Sequence, residues 1–275
     1  MAEPALPGAF GIRWESVARV IAIALLAAGG ARIVYGVLAG TLAWPFIDTI
    51  VYLDAAERLR DGSPLYSEAI VSQAFRYAPW FAVAWIPLTF VPGWVVATLW
   101  AVVLTAASAY LLRPLPWWAW LFFGPVLFFP VYAGNVQPLM LAGLAYGLPR
   151  RSGPLFIALA ASLKAFPVVL VLWYVGRREW SRVAWTLALT TISVVPMLAF
   201  DLSAFSTEPG LTLSLYGIHP ALWAAVAALV AVWHARTRYG LLWASVAVIA
   251  ALPRLLWYDI GYLALAAAPP KSANR

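Results

Sequence analysis

Long apolar runs, broken by short clusters of proline, glycine and arginine, make up most of this chain. The first covers 20–40, behind Arg13 and Arg19. Further runs follow at 78–92, 94–112, 117–133, 135–149, 154–175, 183–200, 220–235 and 241–266. A helix needs roughly 20 apolar residues to cross a hydrocarbon core, and several runs fall short of that. The pattern therefore predicts an all-α, polytopic membrane protein with about seven to nine transmembrane or re-entrant helices. The first run outlasts the roughly 7 to 15 residues of a signal-peptide core and is predicted to be a retained membrane helix. No internal repeat or soluble domain boundary is visible. Residues 1–275 read as one integral membrane domain, with the first ten residues and the tail 269–275 predicted to be disordered.

Basic residues orient the runs. Arg13 and Arg19, Arg150 and Arg151, Arg177, Arg178 and Arg182, and Arg236 and Arg238 are predicted at cytoplasmic ends, which turns the acid-rich loop 41–76 outward. The run 154–175 has arginines at both ends, and a single crossing cannot place both inside. Lys164 and Pro167 in "SLKAFP" offer one resolution, two half-helices that go in and return. An unbroken helix with one cluster on the wrong side is the other, and the sequence leaves both open.

The loop stretch "WPFIDTIVYLDAAERLRDG" (44–62) holds four of the chain's eleven carboxylates. Asp54, Glu57, Arg58 and Asp61 recur at i, i+3, i+4 and i+7, the wet stripe of an amphipathic helix on the membrane surface, with Asp54 and Arg58 spaced to pair. The helix is expected to stop at "DGSPLY", with Gly62 as its C-terminal cap and Pro64 beyond. Asp48 stands apart, on the face of Val51, Tyr52, Ala55 and Leu59. Two readings fit it: an N-cap that satisfies free backbone N–H groups, or a general base beside apolar walls.

Composition narrows the field. With 64% hydrophobic and 11% charged residues and a mean hydropathy of +0.85, the chain cannot hide its apolar surface as a soluble domain. No cysteine means no disulfide and no thiolate chemistry, and two histidines argue against a metal site. The net charge of +7 is spread as short arginine pairs between apolar runs, which suits membrane lipids rather than nucleic acid. The tryptophans of "PLPWWAW" (114–120) fit an interfacial aromatic belt, with a sugar platform as the alternative.

An outward-loop acid followed by "YLDAAERLRDGSPLY", "FRYAPWFAVAWIPLTFVP", "GNVQPLMLAGLA" and "ALAASLKAFPVVLVLWYVGRREW", in this order, resembles the polyprenyl-phosphate-sugar-dependent membrane glycosyltransferases (GT-C type). Within them it is most similar to glycosyltransferase family 87, the alpha-mannosyltransferase type of actinobacteria. The resemblance covers roughly 44–182; the late segment "LPRLLWYDIGYLAL" has Asp259 where the family pattern has a histidine. It implies a multi-pass protein of the plasma membrane that takes a sugar, mannose by the family's habit, from a polyprenyl-phosphate donor. The sugar goes with inversion to a lipid or glycan hydroxyl on the extracytoplasmic face, with no cofactor and no metal.

Asp48 matches the loop acid and would be the base. A departing phosphate wants cationic partners, for which Arg76, Lys164 and Arg254 are the candidates. Arg76 also fits a head-group anchor, and Lys164, far from either end of its run, must be paired or face a polar cavity. Sugar or acceptor contacts would come from Tyr52, Tyr77, Asn135, Gln137, His219 and Asp259. Asn135 and Gln137 equally suit a helix start, His219 a loop, and Arg254 and Asp259, five apart, do not share a helix face. A lipid or solute transporter would carry similar intramembrane charge and broken helices, and a noncatalytic assembly subunit would account for the looser match of the late segment.

Overall fold

The computed structural model describes residues 46–66, 74–203, 205 and 219–267, with Val17, Val20, Ile21, Ala24 and Tyr35 of the first apolar run. The rest of that run, the loop residues 41–45 and 67–73, and the tail 269–275 lie outside the described residues. Every regular element among the described residues is helical. In chain order they are α1 (Ile47–Arg60), α2 (Pro79–Trp85) running into a 3₁₀ turn to Phe90, α3 (Gly93–Leu112), α4 (Trp117–Ala133), α5 (Gln137–Gly147), α6 (Gly153–Leu163), α7 (Val171–Arg177), α8 (Trp180–Val194), α9 (Pro220–His234), α10 (Gly240–Ala251) and the short α11 (Ala264–Ala267). Proline opens several of them at the first or second position, where its missing N–H costs nothing.

Among the described residues, two stretches, Gly93–Leu112 and Trp180–Ala199, are long and apolar enough to cross a membrane, and six shorter apolar helices accompany them. Large apolar side chains point outward along many of these helices, Leu198, Leu229 and Trp233 each more than 70% exposed. An apolar surface of this kind fits association with a membrane.

Two runs are broken: 241–266, which the pattern predicts as one segment, and 154–175, for which a break is one of the two readings left open. The run 241–266 ends as a helix at Ala251, because Pro253 forces the preceding Leu252 into an extended conformation, and a 3₁₀ segment (Trp257–Leu263) follows. The run 154–175 breaks at Lys164, whose φ of −140° and ψ of 115° end α6. The chain restarts as a 3₁₀ turn from Phe166 and continues into α7. The two arms come together at their far ends: the Tyr174 hydroxyl donates to the Leu148 carbonyl, and a Cβ on Gly153 would meet that hydroxyl at 2.0 Å. Of the two sequence readings, the run is thus a hairpin with Lys164 at its tip and both arginine clusters at its base. The 11 residues of α6 separate tip from base by about 16 Å.

The core around this hairpin combines α4, α5, α6, α7 and α10 through Leu127, Leu141, Leu144, Ile157, Leu170 and Tyr174. A second cluster joins α1 and α2 around the fully buried Tyr52, whose ring meets Tyr77, Phe81 and Trp85 at centroid distances of 4.9 to 5.2 Å. Edge-to-face pairs of this kind contribute about 0.5–1.5 kcal/mol each beyond area burial. They fix the rotation of α1, so that Val51, Tyr52 and Ala55 face inward and Glu57 and Asp61 outward. The expected Asp54–Arg58 pair forms at 2.8 Å, and Gly62, at φ 72°, caps the helix as the sequence suggests.

Candidate functional site

Helix α4 ends in Gly134, at φ 70°, a left-handed turn that glycine adopts without a Cβ penalty. This corner accepts the start of α1 at close range: the Thr49 hydroxyl and the Trp100 indole N–H both reach the Gly134 carbonyl, at 3.5 and 2.7 Å. A Cβ on Gly134 would lie 2.0 Å from Thr49 Oγ1. Because the backbone is bare there, Asp48 comes within reach of the residues that follow the corner.

Asp48 is not the N-cap of α1. Phe46 holds that position, no side chain caps the helix, and Asp48 sits in the first turn. Its Oδ2 instead accepts a hydrogen bond from Asn135 Nδ2 at 3.0 Å. Asn135 Oδ1 accepts the backbone N–H of Gln137 at 2.9 Å. Gln137 Nε2 donates to Asp259 Oδ1 at 3.2 Å, while Gln137 Oε1 accepts from Lys164 Nζ. Lys164 Nζ also lies 3.7 Å from Asp259 Oδ1 and 5.0 Å from the centre of the Tyr258 ring, and the Leu256 N–H donates to Asp259 Oδ2 at 2.9 Å. One network thus runs from carboxylate to carboxylate through two amides, with the hairpin's lysine closing it. The Tyr52 and Tyr77 hydroxyls join alongside, 3.1 Å apart, with Tyr52 accepting the Val136 N–H at 3.2 Å. The Ala78 N–H and the Trp80 indole both bind Ser162, at 3.0 Å each, and tie the "FRYAPW" segment to the hairpin just before its tip.

The electrostatics single out Asp48. Burial raises its pKa above the ordinary carboxylate value, against the opposing pull of the Asn135 hydrogen bond and of the Lys164 and Arg254 charges. Of the two carboxylates in the network, Asp48 is the one that stays partly exposed; Asn135, Gln137 and Asp259 are all buried, and Lys164 is half-buried. Arg76 and Arg254 stand close enough to repel each other. Burial first, then Arg254, lowers the pKa of Arg76, and neither guanidinium has a hydrogen-bond or ion-pair partner among the described residues.

Nine of the ten residues expected from the sequence therefore converge, and their placement revises several roles. Asn135, Gln137 and Tyr52 are spent on the protein's own network and present no free surface to a sugar, since polar groups enclosed by apolar helices must satisfy one another. Lys164 is paired with Asp259 rather than free for a phosphate. Arg254 and Asp259 form no direct pair, because Gln137, Leu256 and Lys164 occupy that carboxylate. His219 is apart: exposed, at the N-cap of α9, where its carbonyl starts the helix. Sequence reasoning missed Tyr258, whose ring the ammonium faces, and the crowding at Gly134. The pairing of an aromatic with the neighbouring Asp259 and the "AGN" corner were the only local signs of either.

Compared with protein-family models, with curated proteins and with solved structures, the chain matches none.

Proposed function

We propose that this chain is a multi-pass membrane glycosyltransferase, similar to glycosyltransferase family 87. It moves a hexose, mannose by that likeness, from a polyprenyl-phosphate donor to a lipid or glycan hydroxyl on the extracytoplasmic face. One observation carries the reading. Segments scattered from Asp48 to Asp259 close on a single partly open carboxylate of raised pKa, beside two guanidiniums with no partner among the described residues.

The chemistry such a set can perform is a single inverting displacement. The acceptor oxygen attacks the anomeric carbon, its proton passes to Asp48, and the bond from that carbon to the phosphate oxygen breaks. The polyprenyl phosphate leaves with the electron pair, and Arg76 and Arg254 take up its growing charge. Asn135 positions the base, and Gln137, Lys164 and Asp259 hold Asn135. In a bilayer with the basic hairpin base at the cytoplasmic side, the Lys164 tip points toward the extracytoplasmic face, where the donor's phosphate lies.

Transfer of radiolabel from mannosyl polyprenyl phosphate, and from other hexosyl and pentosyl donors, by the purified protein in liposomes tests the proposal. Label should enter a glycolipid or glycan product with inverted configuration, and Asp48→Asn should abolish it. Folded wild-type protein that transfers no sugar from any donor, or translocates the donor without forming product, would overturn the reading.

A further inference from the structure

At the other end of the hairpin, about 16 Å from Lys164, the starts of α6 and α8 border a cavity of about 790 Å³. Arg151, Arg178 and Arg182 line it together with Leu155, Trp185 and Leu189. Its one carboxylate, Glu179, is engaged by Arg177 at 2.6 Å and by Arg182 at 3.3 Å. Arg151 and Arg178 have no partner among the described residues. Neither bordering helix start carries a side-chain cap, so backbone N–H groups add to the positive field. Arg178 holds φ 61°, a left-handed conformation that glycine adopts without strain. Beyond the cavity, α8 and the turn after it lead away with Trp185, Ile192 and Leu198 all 60% exposed or more.

We propose that this cavity binds the head group of an anionic glycerophospholipid, with an acyl chain laid along the outward face of α8. Three guanidiniums against one carboxylate select a net negative head group, and a bidentate guanidinium matches phosphate geometry. The adjoining apolar walls match the chain that such a head group carries and a free anion lacks. The site rests on the membrane placement proposed above but not on sugar transfer, since it shares no residue with the Asp48 network.

Native mass spectrometry of the purified protein in neutral detergent, with equimolar phosphatidylglycerol and phosphatidylcholine, tests it independently of any transfer assay. Phosphatidylglycerol adducts should be preferred by about tenfold or more, and a millimolar excess of inorganic phosphate should leave them in place. Arg151→Gln should reduce the preference. Arg178→Gly separates ligand from structure, because it relieves the left-handed strain and should melt no lower than wild type while binding less phosphatidylglycerol. Equal binding of phosphatidylcholine, a preference that survives both substitutions, or displacement by phosphate, which would mark a free-anion site, each overturns the proposal. The wild-type lipid and phosphate arms decide even where a variant fails to fold.

Discussion

A carboxylate that burial keeps from ionising as readily as usual has two measurable consequences at Asp48. If Asp48 is the base proposed above, it works only when ionised, so kcat/KM should rise with pH along a limb above the ordinary carboxylate range. Asp48→Asn should remove that limb and lower turnover by about 10²-fold or more, donor binding being largely kept. Stability runs the other way. A folded pKa above the unfolded one means that ionisation weakens the fold, by an amount absent below about pH 3.9 and complete above the folded pKa. Thermal unfolding in detergent should therefore show Asp48→Asn at or above wild type at neutral pH, the two converging in acid. Lys164 gives the opposite test. Lys164→Met strands the buried Asp259 and leaves Gln137 Oε1 without its donor, a loss of about 3–5 kcal/mol. Adding Asp259→Asn should restore most of the lost melting temperature. A double variant no more stable than Lys164→Met would mean that the pair is not what the lysine supports.

Helix ends carry the site, and the two left-handed glycines measure how. Gly62 and Gly134 have nearly the same φ, 72° and 70°, but a Cβ on Gly62 meets nothing while one on Gly134 strikes Thr49 and Phe46. Gly62→Ala should cost about 1–2 kcal/mol from backbone strain alone and leave transfer near wild type. Gly134→Ala should cost more and also reduce transfer sharply, because α1 must back away from the corner and take Asp48 from Asn135. Equal losses in the two variants, read by unfolding and by transfer, would mean that the corner does not position the base. This is also where the sequence stopped being legible. The Gly62 cap and the Asp54–Arg58 pair follow from local spacing, and the break at Lys164 is one of the two readings that the proline and the flanking arginines leave open. The link of Asp48 to Asn135, 87 positions away, and of Gln137 to Asp259, 122 away, has no local signature. Their residue types marked them for polar work, but only packing shows that the two amides serve the carboxylates rather than a ligand.

The arrangement of the whole molecule turns on the hairpin, for it sets which surfaces share a side. Arginines at both ends of 154–175 contradict any single crossing, and the fold resolves the contradiction by returning the chain at Lys164, so that Arg151 and Ser181 border one cavity. If the basic ends place the molecule in a bilayer as proposed, that cavity is expected on the cytoplasmic side and the acid-bearing α1 and the Gly62 turn outside. The chain has no native cysteine, so single cysteines report cleanly. Arg151→Cys and Ser181→Cys should both resist an impermeant thiol reagent in intact cells and react after the membrane is opened. Ser63→Cys, on the exposed turn after α1, should react in intact cells. Labelling of residues 151 and 181 from opposite sides would mean that the run crosses once and the hairpin is not the membrane form. Labelling of all three with the reverse pattern would keep the hairpin but turn the molecule over. The Asp48 carboxylate would then be reached from the cytoplasm, where a transferase drawing on an outward-facing lipid-linked donor cannot use it.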